Sequence, residues 1–103
     1  MEATAEPDLP ESVKEFLDML KEFGVQYKHD PKYQEIYIES KVSYTQLHEV
    51  PQISVYQGNV KIIYTKYAKT KSLNVVKGDS IRQIIPFECE EAWYSYPHFI
   101  VKY

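Results

Sequence analysis

The fold is decided by residues 8–29, which read DLPESVKEFLDMLKEFGVQYKH. Within this stretch, apolar side chains recur at the spacing that places them on one face of a helix: Val13, Phe16, Leu17, Leu20 and Phe23. After Gly24 the apolar period changes from 3.6 residues to 2, the period of a strand with one buried face. The stretch therefore predicts an amphipathic helix followed directly by β structure.

Both ends of the predicted helix carry boundary signals. Asp8 is expected to cap the first turn, with Glu11 reaching back to complete a capping box. Pro10 suits the first turn, because the N–H that it lacks has no partner there. At the other end, Gly24 is expected to adopt the left-handed conformation and Val25 to close a Schellman motif.

The clearest hairpin joins residues 53–57 to residues 60–65 through Gly58-Asn59, because a two-residue loop of this type suits a type I′ or II′ turn. This register sets Val55 opposite Ile62 and Ile53 opposite Tyr64 on one face of the sheet. It sets Ser54 and Tyr56 near Ile63 and Lys61 on the other face. The apolar and mixed faces therefore separate, as a sheet with one buried side requires.

Other segments read as shorter strands and turns. Residues 25–29 and 35–39 alternate on either side of an Asp30-Pro31 turn. A second hairpin turns through residues 77–79, with either a two- or a three-residue loop, and residues 98–103 form a closing strand. Between them, one short helical turn is expected around Cys89 to Trp93.

Length and pattern together predict one domain of the α+β class. A chain of 103 residues is long enough for one hydrophobic core and short for two. We expect an N-terminal amphipathic helix packed on an antiparallel β-sheet of five to six strands. Residues 1–7 are expected to form a disordered lead-in, and residues 8–103 the single α+β domain.

Several features bear on the compartment. The single cysteine, Cys89, cannot form a disulfide within the chain, and the first residues lack the basic and apolar regions of a signal peptide. No apolar run approaches the ~20 residues that a membrane-spanning helix needs. These observations predict a cytoplasmic protein that makes no membrane contact.

Charge is unevenly distributed along the chain. Residues 1–40 contain ten acidic residues and four lysines, whereas residues 61–82 contain six basic residues and one aspartate. The formal net charge of −3 hides this separation. Segregated charge of this kind suggests that different faces meet different partners.

No motif for catalysis, a metal or a cofactor is present. The histidines His29, His48 and His98 are isolated, without the spacing that zinc ligands usually show, and no glycine-rich phosphate loop occurs. A site assembled only by the fold, from Cys89, Glu90 and a histidine, is the one enzymatic or metal-binding alternative. The sequence otherwise predicts a non-enzyme with no catalytic residues, no metal and no cofactor.

Two features favour a protein–protein interaction module. Tyr and Trp are preferred as interface anchors, and we expect five of them to lie partly outside the core: Tyr37, Tyr56, Trp93, Tyr94 and Tyr96. Four carboxylates also line the polar face of the helix: Glu11, Glu15, Asp18 and Glu22. This acidic ridge is either a docking surface for a basic partner or a solvated face whose repulsion Lys14 and Lys21 relieve. An aromatic sheet with open edges also predicts a homodimer.

The alternative is a single-stranded nucleic-acid-binding protein that uses region 56–82. Cations that follow phosphates and aromatic rings that stack on bases are typical of such proteins. The candidates are Tyr56, Lys61, Lys66, Tyr67, Lys69, Lys71, Lys77 and Arg82. The sequence pI of about 5.6 and the single arginine count against this function, and lysines also protect exposed strand edges.

Composition adds one resemblance. Segments such as EIYIE (35–39) and KIIYTKY (61–67) are rich in Tyr, Ile, Lys and Glu, and the chain has only two Asn and one Cys. In these respects it resembles the small proteins encoded by viruses of hyperthermophilic archaea, over the whole chain but without a motif. Lys and Glu enrichment favours heat resistance. The resemblance implies a function directed at the host, in the host cytoplasm, such as antagonism of a defence protein, and it carries over no site residue.

Overall fold

The structure is a computed structural model that describes residues 9–40, 52–66 and 70–103, with nothing described of the Lys66 side chain. These residues contain one helix and eight strands: α1 (Glu11–Phe23), β1 (Lys28–Asp30), β2 (Glu35–Glu39), β3 (Gln52–Gln57), β4 (Val60–Lys66), β5 (Lys71–Lys77), β6 (Ser80–Ile84), β7 (Glu91–Ser95) and β8 (His98–Lys102). Several predictions concern positions outside the described residues: the lead-in at 1–7, Asp8, His48, Tyr67 and Lys69.

The strands form two antiparallel sheets of four strands each. One sheet, here called the terminal sheet, has the order β1-β2-β8-β7 and combines a hairpin from each end of the domain. The other, called the meander sheet, has the order β3-β4-β5-β6 and lies between those hairpins in sequence. The α+β class is confirmed, whereas the single sheet of five to six strands is wrong. Alternation identifies strands, but it does not reveal that β2 pairs with β8, some sixty residues later in the chain.

The sequence predicts the end of α1 correctly but not its start. At the start, Pro10 is the N-cap residue and Glu11 is the first helical residue, whereas a capping box needs Glu11 three residues beyond the cap, so the predicted capping box is wrong. Among the described residues, which do not include Asp8, no side chain caps the helix. At the end, the Schellman motif is confirmed. Gly24 is left-handed (φ 76°, ψ 22°), and the N–H of Val25 donates to the carbonyl of Leu20 at 2.8 Å.

Both predicted hairpins form. In the first, Val55 lies opposite Ile62 and Ile53 opposite Tyr64, which confirms the register. In the second, Lys77 pairs with Ser80, so the loop has two residues. The predicted helical turn from Cys89 to Trp93 is wrong, because residues 91–95 form β7 and pair along β8. This long-range pairing outweighs the local preference of the segment.

One hydrophobic core joins the helix and both sheets. All five residues of the predicted helical stripe are buried, and the buried face of α1 also includes Ser12 and Met19. Aromatic contacts cross the core between layers: the Phe87 ring lies 5.4 Å from that of Phe16 and 6.0 Å from that of Tyr64. Tyr64, predicted to be a core residue, is 1% exposed.

Residues 87–90, here called the core linker, donate backbone hydrogen bonds to the helix and to both sheets. The N–H of Phe87 donates to the carbonyl of Lys71 in the meander sheet at 2.7 Å, and the N–H of Glu88 donates to Ser12 Oγ in the helix at 2.6 Å. The N–H of Glu90 donates to the carbonyl of Lys102 in the terminal sheet at 2.8 Å. The linker therefore fixes how the helix and both sheets meet.

Candidate functional site: an aromatic face on the terminal sheet

The terminal sheet has one face in the core and one turned away from it. Ile36 and Ile38 are fully buried on the inner face, so Tyr37 between them points outward. The register places Tyr37 opposite Ile100 in β8, and Ile100 opposite Trp93 in β7. These three residues therefore lie side by side across adjacent strands, and they are here called the aromatic face.

The middle of the aromatic face is well packed. Ile100 is only 8% exposed although it points away from the core, whereas Tyr37 and Trp93 on either side are half-buried. The ring of His98 meets that of Tyr37 edge to face at 6.3 Å between centroids. These rings are therefore packed against side chains of the same sheet.

Carboxylates surround the aromatic face. The hydroxyl of Tyr37 donates a hydrogen bond to the carboxylate of Glu35, and this bond raises the pKa of the Tyr37 phenol. Outward positions of the same sheet hold four acidic residues and two lysines: Asp30, Glu35, Glu39, Glu91, Lys28 and Lys102. The rim is therefore acidic overall.

Two open clefts adjoin this face. One, of about 560 Å³, is lined by Tyr37 and His98 together with Gln26, Tyr27, Lys28, Asp30 and Glu39. The other, of about 620 Å³, is lined by Gln26, Glu39, Ser40, Gln57, Gly58, Tyr96 and Pro97. Gln26 and Glu39 line both clefts, so the two clefts are neighbours.

The side-chain amide of Gln57 lines the second cleft and hydrogen-bonds backbone groups on its far side. Its Oε1 accepts a hydrogen bond from the N–H of Gln26 at 2.7 Å. Its Nε2 donates to the carbonyls of Gln26 and Glu39 at 2.9 and 2.8 Å. One side chain of the meander sheet thus hydrogen-bonds the backbone of β2, at Glu39, and of the segment before β1, at Gln26.

The remaining aromatic candidates lie elsewhere. Tyr56 is on the outer face of the meander sheet, where Lys61 Nζ lies 5.6 Å from its ring centroid. Tyr94 packs against the core opposite Phe99, and its buried hydroxyl has no hydrogen-bond partner within the described residues. Tyr96 is 75% exposed at the turn between β7 and β8. Of the five predicted anchors, the structure brings together only Tyr37 and Trp93.

The predicted acidic ridge does form on the polar face of α1. Glu11, Glu15, Asp18 and Glu22 are all exposed. Glu22 is engaged by Arg82, whose Nη1 lies 2.7 Å from the nearer carboxylate oxygen. Because α1 packs on the core side of the sheets, the ridge and the aromatic face are separate surfaces.

The described cations of the predicted basic surface each contact a different group of the chain itself. Lys77 Nζ donates to the carbonyl of Phe23 at 3.3 Å, and Lys71 Nζ donates to that of Cys89 at 2.8 Å. With Arg82 on Glu22 and Lys61 on Tyr56, each of these four cations contacts a group of the chain itself.

His29, His98 and Cys89 lie in different places. His29 Nε2 hydrogen-bonds the hydroxyl of Tyr103, His98 lies against Tyr37, and the Cys89 thiol is 3.7 Å from the hydroxyl of Tyr64. Over residues 9–40, 52–66 and 70–103, no three His, Cys, Asp or Glu side chains converge as metal ligands would.

Two residues of the site were missed at the sequence level. Ile100 lay in a predicted strand, but its place between Tyr37 and Trp93 depends on pairings that alternation does not specify. Gln57 carried no signal, since a glutamine at the end of a strand has no distinctive pattern.

Comparison of the chain with protein-family models, curated proteins and solved structures gives no match. Among the described residues, α1 is too short and too polar to cross a membrane, and no other helix is present there.

Proposed function

We propose that the chain is a non-enzymatic protein–protein interaction module, whose aromatic face binds a basic protein partner. The observation that carries the proposal is the row formed by Tyr37, Ile100 and Trp93 on the outward face of the terminal sheet. Tyr and Trp contribute large contact areas at small cost in side-chain entropy, and they are enriched among residues that dominate binding energy.

Packing and charge support this choice of surface. Ile100 lies between the two rings and is itself only 8% exposed, so little ordering is required when a partner binds. The acidic rim gives the surface an apolar centre and a charged border, the usual arrangement of a binding interface. Excess carboxylates at the border favour partners with lysine and arginine at matching positions and speed their association.

The compositional resemblance extends the proposal to the biological setting. A small protein with the character of those encoded by viruses of hyperthermophilic archaea would act in the host cytoplasm on a host protein. A defence protein that binds nucleic acid is one partner of the required chemistry, because such proteins present basic surfaces. The acidic ridge on α1 offers such a partner a second contact.

Single-stranded nucleic acid is the second candidate ligand. It is supported by Lys61 and Tyr56, which lie together on the outer face of the meander sheet. It ranks below protein binding because Lys71, Lys77 and Arg82 already bind groups of the chain itself.

Capture from cell extract, with matched variants, tests the proposal. The wild-type chain, Tyr37→Ser, Trp93→Ser and the control Tyr33→Ser would be immobilised and exposed to extracts of hyperthermophilic archaeal cells. Tyr33 is 59% exposed at the turn between β1 and β2, outside the aromatic face. We expect the wild type and the control to retain the same protein, and the two face variants to bind it at least about tenfold more weakly.

Two results would overturn the proposal. One is retention of the same proteins by all four chains, which would place binding outside the aromatic face. The other is binding of labelled single strands with an affinity that falls steeply as salt rises, without capture of any protein.

A further inference from the structure

The strand β6 forms one edge of the meander sheet, and no other strand of the described residues pairs with its outer side. Ser80 to Gln83 are all exposed. Because Lys77 and Ser80 flank a two-residue loop, they form a hydrogen-bonded pair, and the pairs along the hairpin alternate from there. Ile81 and Gln83 therefore point their N–H and C=O groups away from β5. No backbone hydrogen bond from elsewhere in the described residues reaches them.

Apolar side chains accompany this open edge. Ile81 is 63% exposed and Ile85, just beyond the strand, is 55% exposed. Among the described residues, the other large hydrophobic side chains this exposed are Tyr33 and Tyr96, both in hairpin turns. Exposed apolar groups on a strand edge are typical of a surface that pairs with another strand.

The devices that normally protect an edge are missing from β6. The strand contains no proline, and its single charged residue is Arg82. That side chain is on the opposite face from Ile81, and its guanidinium is held by Glu22 of the helix. The edge therefore presents backbone groups and isoleucines without a protruding charge.

The sequence of this edge is complementary to itself. If two copies of β6 pair antiparallel about a two-fold axis at Gln83, each Ile81 lies opposite the Ile85 of the other copy. On the inner face, each Arg82 then lies opposite an Ile84. A two-fold axis at Arg82 would instead set two arginines opposite each other, which is unfavourable.

We propose that the chain forms a homodimer through antiparallel pairing of two β6 strands about Gln83. The pairing joins two meander sheets into one sheet of eight strands, with up to six new backbone hydrogen bonds from Ile81, Gln83 and Ile85. In a two-fold contact the β6 edge of each chain is paired with the β6 edge of the other, so the assembly stops at two chains. The terminal sheets remain outside the contact, and the dimer therefore displays two aromatic faces.

Mass measurement tests the dimer independently of any partner protein. Sedimentation and light scattering of the full chain over a wide concentration range are expected to show a monomer–dimer equilibrium. Ile81→Lys is expected to raise the dissociation constant at least about tenfold, because it places a charge on the paired edge. Gln83→Pro is expected to do the same, since it removes an N–H that only the dimer uses.

Tyr33→Lys is the matched control, because it replaces a similarly exposed hydrophobic residue away from the edge with the same charge. Circular dichroism and thermal melting would verify that each variant remains folded. A wild-type chain that stays monomeric at every concentration would overturn the proposal. So would dimerisation of both edge variants with the strength of the control.

A charge-rescue variant tests the register. In Ile81→Lys/Ile85→Glu, the new charges of one chain are four residues apart along it, but each lies directly opposite its complement in the other chain. We expect this double variant to dimerise more tightly than Ile81→Lys alone. Equal or weaker dimerisation would rule out the axis at Gln83. Loss of partner capture with the dimer intact would overturn only the proposed function.

Discussion

Arg82 Nη1 donates to both carboxylate oxygens of Glu22, at 2.9 and 2.7 Å, and so joins the last turn of α1 to the middle of β6. Glu22 belongs to the acidic ridge and Arg82 to the basic segment at 61–82. The two charged surfaces that the sequence suggests for outside partners thus meet within one chain. Lys77 of the basic segment also contacts the helix end, where it donates to the backbone carbonyl of Phe23.

The contribution of this ion pair to stability is expected to be small, because both side chains are about half exposed. Arg82→Ala and Glu22→Ala should each lower the free energy of unfolding by less than about 1 kcal/mol, with a coupling of about 0.2–1 kcal/mol in the double variant. Urea unfolding at low and high salt would measure both. Glu15→Ala is the control; Arg82 and Glu22 effects that simply add would show that the pair is not coupled.

The Schellman motif at Gly24 makes a larger contribution. Gly24→Ala would place a side chain at φ 76°, a conformation that costs an L-residue about 1–2 kcal/mol. No atom lies within 4 Å of the added Cβ, so the loss is conformational and not steric. Gly24→Asn should lose less, because asparagine tolerates this region better. Equal losses from both variants in thermal melts would contradict this explanation.

Local features of the fold were predictable, and long-range ones were not. The helical stripe, the Schellman motif and the hairpin about Gly58 depend on residues close in sequence, and each is present. The pairing of β2 with β8 depends on contacts between distant segments, and no periodicity encodes it. The error at residues 89–93 has the same cause, since β7 exists because β8 lies beside it.

The candidate site shows the same limit. Tyr37 and Trp93 were selected for their residue type, which is enough to mark them as anchors but not to place them together. Tyr94 met the same criterion, yet it packs against the core, because the residue after Trp93 in a strand points to the other face. The cations of region 56–82 were grouped because they are close in sequence. In the structure, the four whose side chains are described contact different groups: Lys61 contacts Tyr56, Lys71 contacts Cys89, Lys77 contacts Phe23 and Arg82 contacts Glu22.

The hydrogen bonds from the Gln57 side chain to Gln26 and Glu39, here called the Gln57 bridge, connect the two sheets, and a substitution at Gln57 tests their contribution. Gln57→Glu keeps the shape of the side chain and can still accept from the N–H of Gln26. It can no longer donate to the carbonyls of Gln26 and Glu39. We expect a loss of about 1–2 kcal/mol in the free energy of unfolding, from two hydrogen bonds.

Asn59→Asp, in the adjacent turn, adds the same charge outside the bridge and is the control for Gln57→Glu. Faster hydrogen exchange of the Gln26 amide in Gln57→Glu would indicate that the bridge between the two sheets has loosened. Unchanged stability and unchanged exchange in that variant would show that the bridge does not hold the sheets together.

The buried phenol of Tyr64 predicts how stability depends on alkaline pH. Burial, reinforced by the neighbouring Cys89 thiol, raises the pKa of Tyr64 above its usual value of 10.0. Above pH 10 the unfolded chain therefore loses this proton while the folded chain keeps it, so the stability is complete below pH 10 and falls as pH rises. Tyr64→Phe should flatten this fall in urea unfolding between pH 9 and pH 11. A residual slope is expected because burial also raises the pKa of Tyr94 and Tyr103; an unchanged slope would contradict the assignment to Tyr64.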